Sequence, residues 1–462
     1  MNESKLKNNI EVGKKYKAEC IDLNHEGIGV FKINGFTVFA INALVGEVVI
    51  LEIEKVNSNY AQAKIIEFIK KSKDRVLPIC KQFMDCGGCD LMHMNYSKQL
   101  EFKEHMGKET LRRIGDLSNI DAICEGIVGM DEGNYHYRNK VQIPFSKVGK
   151  KTICGFYKKK SHFIIPLEDC FIQPQLCNEI AKFVKNLANE YGIDGYVESQ
   201  KTGSLRHVLI RKNVYDEYML ILVVRNEKID NLDIVVDKIV KRYPNIKSVL
   251  LNIQDKDTNV ILGNKTVTLY GKDELIDELL GYKFKLSHRS FFQINHDQTE
   301  KLYLLVKDFA HLNKNDIVLD AYCGVGSIGI SLSKNVKQVY GIEIVSEAVE
   351  NAKENARINN IDNMIFYAGQ AEEVINKMND IEFDVVVVDP PRKGCDSKFL
   401  DAIVNKKIKK MVYVSCNVAT LARDIKLLKD YYRVEKVKFV DMFPFSADVE
   451  TVALLTWKNN DR

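Results

Sequence analysis

The stretch DIVLDAYCGVGSIGI, Asp316–Ile330, decides the fold of this chain. It opens as an apolar strand and runs into Gly324, Gly326 and Gly329, which satisfy G-x-G-x-x-G. Glycines at that spacing let a backbone turn tightly and approach a cofactor at the start of a helix. Glu343 ends the next strand, QVYGIE, 19 residues after Gly324, where a carboxylate can bind ribose hydroxyls. Two cofactors fit this pattern. NAD is one, and S-adenosylmethionine (SAM) is the other, because its adenosine needs the same ribose clamp.

Outward from this stretch, strands and helices alternate to the end of the sequence. The helix QTEKLYLLVKDFAHL precedes it, with Leu302, Leu305, Val306 and Phe309 on one face. After it come SEAVENAKENARINN, FDVVVVDPPR, MVYVSCN, VEKVKFVDMF and ETVALLTW. Alternation with continuous apolar strands predicts an α/β fold, a doubly wound, Rossmann-like parallel sheet over residues 286–462. Residues 76–285 read as a mixed α/β domain, with a helix in NEIAKFVKNLANEYG and strands in HVLIRK and YMLILVV. Residues 9–70 hold five short strands with Gly27, Gly29, Gly35 and Gly46 at the turns, which predicts a small five-stranded antiparallel barrel. The basic run KKSKDR, Lys70–Arg75, reads as a linker.

The 462 residues are 45% apolar, enough for two or three cores, and the net charge of +4 permits nucleic-acid binding without demanding it. No apolar run reaches the ~18 residues of a membrane span, and MNESKLKNNI lacks the apolar core of a signal peptide. A cytoplasmic location is expected, without a membrane and with no obligate protein partner. Eleven cysteines in such a chain do not suggest a disulfide framework. Cys20, Cys124, Cys154 and Cys177 carry no motif and read as small core residues. CKQFMDCGGC is different: Cys80, Cys86 and Cys89 form C-x5-C-x2-C around two glycines, and Cys170 in LEDC is a candidate fourth ligand. Four thiolates can hold zinc or an iron–sulfur cluster, and spacing alone does not decide.

The fourth strand of the alternating region separates the two cofactors. It ends on Asp389-Pro390-Pro391-Arg392, a rigid exit suited to holding a planar base beside SAM. The next strand ends on Ser415-Cys416-Asn417. A thiol beside a methyl donor suits methylation of a carbon with little nucleophilicity, such as uracil C5. The thiolate adds to C6, C5 then takes the methyl group, and a base removes the C5 proton so that the thiol can leave. Glu450, at the start of the final strand, is the candidate base.

These segments resemble the RNA uracil-C5-methyltransferase family: SFFQIN (Ser290–Asn295), DAYCGVGSIG, GIEI, DPPRKG, VSCN and DMFP with VE. The resemblance implies Cys416 as nucleophile and Glu450 as base. It implies Gln293, Tyr322, Glu343 and Asp389 at SAM, with Ser327 and Gln370 as further carry-overs and Asp389 also at the substrate. Where the family usually has a histidine two residues before the glutamate, this chain has Asp448. The barrel and C-x5-C-G-G-C resemble the ribosomal-RNA branch, which implies a TRAM-like RNA-binding barrel, a [4Fe-4S] cluster in preference to zinc, and 23S rRNA as partner. The target uridine must lie in a single-stranded loop or be flipped out. Candidate RNA contacts are Tyr137, Arg138, Asn139, Lys140, Arg206, His207, Phe291, Phe292 and the lysines 158–160. The rival expectations are a tRNA uracil-C5-methyltransferase, an NAD-dependent iron–sulfur oxidoreductase and a non-catalytic RNA-binding iron–sulfur protein.

Overall fold

The computed structural model describes residues 10–131 and 134–458. The first residue of the expected barrel span, the last four of the C-terminal span and nearly all of MNESKLKNNI lie outside them. The chain divides into two compact units, Met1–Met106 with Phe443–Asp448, and Gly107–Met442 with Val449–Arg462.

The first unit holds a closed barrel of β1 (Lys15–Leu23), β2 (Gly29–Ile33), β3 (Phe36–Ala40), β4 (Val48–Val56) and β5 (Tyr60–Lys70), in the order β1-β2-β3-β5-β4. It is not wholly antiparallel: β3 and β5 run parallel, with Thr37 opposite Tyr60. The reason is arithmetic, since strand direction cannot alternate around a closed ring with an odd number of members. Gly29 also departs from expectation. It lies in β2 rather than at a turn, where a Cβ would sit 2.6 Å from the Ala43 methyl. Nor is KKSKDR a bare linker. Arg75 donates from Nε to Glu47 Oε1 (2.6 Å) and from Nη2 to Glu47 Oε2 (2.7 Å), which satisfies a carboxylate buried in the barrel.

The second unit contains two large sheets. β6 (Cys124–Val128), a strand the sequence did not reveal, joins the C-terminal sheet described below. β7 (Lys140–Val148), β8 (Lys151–Tyr157), β9 (Ile164–Pro166), β10 (Leu205–Lys212), β11 (Tyr218–Val224), β12 (Ile246–Ile253) and β13 (Lys265–Gly271) form a sheet ordered β13-β12-β11-β10-β7-β8-β9. The helices Gln175–Glu190 and Leu232–Arg242 cover it, burying Ile180, Val184, Leu187, Val235 and Ile239 against Val208, Leu220 and Val249. A hairpin, β14 (Glu274–Leu279) and β15 (Tyr282–Ser287), leads to the C-terminal region.

There, β16 (Ile317–Ala321), β17 (Gln338–Glu343), β18 (Met364–Ala368), β19 (Val385–Val388) and β20 (Lys410–Ser415) pair in parallel as β18-β17-β16-β19-β20. The strand order reverses between β16 and β19, the crevice where open α/β sheets bind ligands. The expected amphipathic helix is His296–Ala310, with Leu302, Leu305, Val306 and Phe309 buried. The sheet is mixed rather than all parallel. β21 (Tyr432–Val440) and β22 (Glu450–Trp457) form an antiparallel pair, and β22 inserts between β20 and β21. A parallel return needs a crossover of about a dozen residues or more, and residues 441–449 supply no helix for one. β6 closes this edge, parallel to β21.

Candidate active site

The cofactor crevice begins where β16 ends. Tyr322, Gly324 and Gly326 all take left-handed backbone, with φ of 65°, 55° and 82°. At Gly324 a Cβ would meet nothing within 4 Å, so the loop leaves an open cradle. Gly329 serves packing instead: a Cβ there would lie 2.8 Å from Asp320 Oδ2, which accepts the Gly329 amide at 2.8 Å. Asp320 is buried, and burial pushes its carboxyl up to about 7. Glu343 is fixed from two sides, with Oε2 accepting Gly324 N (3.1 Å) and Oε1 accepting Val345 N (2.8 Å). A carboxylate held this way keeps lone pairs for ribose hydroxyls. The open cradle and this anchored acid fit an adenosine-bearing cofactor. Gln370 has an exposed side chain, but it neighbours Gly369, whose amide donates to Glu343 O (2.9 Å). The Ser327 hydroxyl lies 2.7 Å from the phenol of buried Tyr303, a partner the sequence did not announce.

The side chains expected to react gather on the neighbouring strand ends. The last ladder pair of β20 and β22 is Ser415 with Thr451, so the next positions, Cys416 and Glu450, come to the same edge, where the Glu450 charge acts on the Cys416 thiol. Antiparallel insertion of β22 makes this possible, because it brings the first residue of that strand, rather than the last, to the carboxyl edge of β20. Glu450 is buried and Cys416 is half-buried. Burial, reinforced by the negative charges of Glu450 and Asp389, pushes the Cys416 thiol up to about 11, against a smaller pull from Arg392. Asp389, one residue past β19, is desolvated, and its carboxyl is raised well above the ordinary range. Gln293 Nε2 reaches Asp389 Oδ2 at 3.5 Å.

A buried network underlies the proline loop. Asp424 Oδ2 accepts the Tyr413 hydroxyl (2.7 Å) and the Cys395 amide (2.9 Å), while Arg423 Nε donates to Asp424 Oδ1 (2.8 Å). Arg423 also holds the Lys393 carbonyl at 3.0 Å. Gly394, with φ 79°, turns the loop back on Pro391 O at 2.8 Å. Asn417 caps the helix Val418–Leu428 through Ala419 N (3.0 Å) and donates to Arg392 O (3.3 Å), so the loops after β19 and β20 are tied together.

The other expected contacts divide. Phe292 is buried 5.6 Å from the Phe284 ring, whereas Phe291 is 67% exposed. Asn139 donates to Gln293 O (2.8 Å), joining YRNK to SFFQIN. Lys140 faces Arg211 across β7 and β10, and burial together with that neighbour lowers its ammonium to about 8. Arg206 donates to the carbonyls of Gln254 and Lys256, a structural task, and burial lowers the His207 imidazole to about 4. Cys80, Cys86 and Cys89 are half-buried in a loop of the first unit, and Cys170 belongs to the second. At Gly88 a Cβ would make an ordinary contact with Cys86 Sγ, at 3.6 Å. Among the described residues, no group of three or more His, Cys, Asp or Glu side chains is gathered closely enough to hold a metal ion. No helix among them is long and apolar enough to cross a membrane.

Known proteins resemble this chain along most of its length. Residues 237–458 match the family model described as tRNA (Uracil-5-)-methyltransferase. An uncharacterized RNA methyltransferase of Oceanobacillus iheyensis is 42% identical over 460 residues, covering 98% of this chain and 99% of its own. One from Clostridium acetobutylicum is 43% identical over 444 residues, covering 95% and 96%. Among solved structures, Pyrococcus abyssi tRNA (uracil-54, C5)-methyltransferase in complex with S-adenosyl-L-homocysteine aligns with a TM-score of 0.76 and 26% identity. That alignment covers 96% of this chain and all of the other. Likeness along nearly the whole length, to proteins sharing two-fifths of its residues, shows that the chain belongs to the SAM-dependent RNA uracil-5-methyltransferase family.

Proposed function

We propose that this protein forms 5-methyluridine in 23S rRNA, with Cys416 as nucleophile and Glu450 as base. The observation that carries the reading is the register of β20 and β22, which brings a half-buried thiol and a buried carboxylate to one sheet edge, where the charges of Glu450 and Asp389 act on the thiol. SAM, when bound, supplies an electrophilic methyl group. Gln293, Tyr322, Ser327, Glu343, Gln370 and Asp389 are the residues assigned to hold it. Cys416 loses its proton and bonds C6 of the uracil, which turns C5 into an enolate carbon able to accept the methyl group. Glu450 then takes the C5 proton, the C5–C6 double bond re-forms, and the thiolate leaves. Phe291, exposed beside Gln293, suits stacking on a flipped base.

The division into a barrel (9–70), a central domain (76–285) and a methyltransferase domain (286–462) follows the strand and helix pattern of the sequence, while the TRAM-like character of the barrel and the 23S rRNA assignment rest on the family resemblance. So does a [4Fe-4S] cluster on Cys80, Cys86, Cys89 and Cys170, in preference to zinc; it has a structural role, because methyl transfer moves no electrons. A tRNA target is the second reading, favoured by the whole-chain likeness to an enzyme named for uracil 54 of tRNA. Mapping 5-methyluridine in rRNA and tRNA from cells with and without the gene separates the two. Loss of a 23S site supports the first reading, and loss confined to tRNA refutes it.

A further inference from the structure

The run Lys158–Lys160 has no part in the reaction above. It begins the tip of the hairpin that joins β8 to β9, residues 158–163, at the edge of the seven-stranded sheet. The tip is tightly bonded: Lys158 N donates to Phe163 O (2.8 Å), Ser161 N to Lys158 O (3.0 Å), and Phe163 N to Ser161 Oγ (3.2 Å). Lys160 completes the turn with φ 55°. This turn presents Phe163 to solvent, 79% exposed, behind three consecutive lysines, of which Lys158 and Lys160 are exposed and Lys159 half-buried. His162 Nδ1 lies 3.4 Å from Glu198 Oε2 at the same tip.

A single exposed apolar side chain needs no explanation. A phenyl ring held out by a hydrogen-bonded turn among lysines is a different object, because it joins a π-face to phosphate-seeking cations at little ordering cost. Those are the parts with which proteins hold unpaired nucleotides without reading their sequence.

We infer that the tip Lys158–Phe163 is a second RNA-binding site, in which Phe163 stacks on an unpaired base and the lysines pair with its flanking phosphates. It rests on the RNA reading above but not on which uridine is modified. Cys416 follows β20 of the other large sheet, and we assign the tip to a part of the RNA other than the target base. Its task is affinity and placement of the substrate.

The test measures binding of the full-length protein to a fluorescent 12-nucleotide single-stranded RNA of mixed sequence, without SAM, as a function of salt. Phe163→Ala should weaken binding about tenfold, and Phe163→Trp should restore it. Lys159→Gln/Lys160→Gln should lower the slope of log K against log salt by about 1.4, or about 0.7 per lost phosphate contact. Unchanged thermal melting shows that these surface variants fold. If Phe163→Ala and the lysine pair both bind RNA with wild-type affinity and salt slope, the inference is overturned and the hairpin is left to a protein partner. Wild-type RNA binding without 5-methyluridine formation would instead sink the proposed function and leave this site standing.

Discussion

Cys416 keeps its proton in the resting protein. With the thiol pushed up to about 11 by burial and by two acids, roughly one molecule in ten thousand carries the thiolate at pH 7. Below that value the thiolate fraction rises about tenfold per pH unit. The rate of covalent adduct formation with 5-fluorouridine RNA should therefore climb about a hundredfold from pH 6 to pH 8, and a flat profile would show that the thiol is not the attacking group. Glu450 acts later. Glu450→Gln should lower turnover by about 10²–10⁴-fold and let the RNA–protein adduct accumulate on denaturing gels; wild-type turnover would reject it as the base. The strand-end places of both residues were legible, because each stands at the edge of an apolar run in chemically unusual company. Tyr303 was not, since a tyrosine on an amphipathic helix looks like any core residue until Ser327 is seen 2.7 Å away.

At the scale of elements, the two loops that frame the thiol depend on a side chain below them. The Tyr413 hydroxyl bonds Asp424 (2.7 Å) and lies 3.3 Å from the Cys395 amide, in a site without solvent. Tyr413→Phe leaves Asp424 short of a donor, at a cost of about 1–3 kcal/mol. Methylation should fall together with thermal stability as the proline loop loses its support. Unchanged melting and unchanged kcat would show that the network supports nothing. The parallel strands could be read from their apolar runs, such as Val385–Val388, all buried. Antiparallel β22 could not, because its sequence is as apolar as a parallel strand and only the missing crossover helix distinguishes it. Edge strand β6 escaped for the opposite reason: CEGIV is too short and mixed to carry a period.

For the whole molecule, stability has a charged component in the barrel. Burial alone would raise the Glu47 carboxyl, yet Arg75 and the amides of Leu44 and Ser72 hold it below its ordinary value. A carboxylate depressed in this way stabilises the fold above the ordinary glutamate range, and its contribution is lost as pH falls through the folded value. Arg75→Met should cost about 3–5 kcal/mol at pH 7 in urea titrations, with a smaller penalty in acid, where Glu47 is protonated; an equal penalty at pH 4 would contradict this. The proposed cluster is tested at the same scale. Protein purified without oxygen should be brown with about four irons per chain, whereas colourless protein with stoichiometric zinc would reject iron–sulfur. Composition told least here. The five-strand barrel was legible from its turns, but its parallel closure follows from counting strands, and Arg75 as a partner for Glu47 follows only from the fold.

The most direct measurement is mass spectrometry of the protein after incubation with SAM and 5-fluorouridine-substituted RNA. The fluorine takes the place of the proton that Glu450 must remove, so the reaction should stop with the RNA still bonded to sulfur. The expected result is a tryptic peptide bearing Cys416 and one methylated fluoronucleotide, absent in Cys416→Ala. No adduct, an adduct on another cysteine, or methylation by Cys416→Ala at the wild-type rate would contradict it.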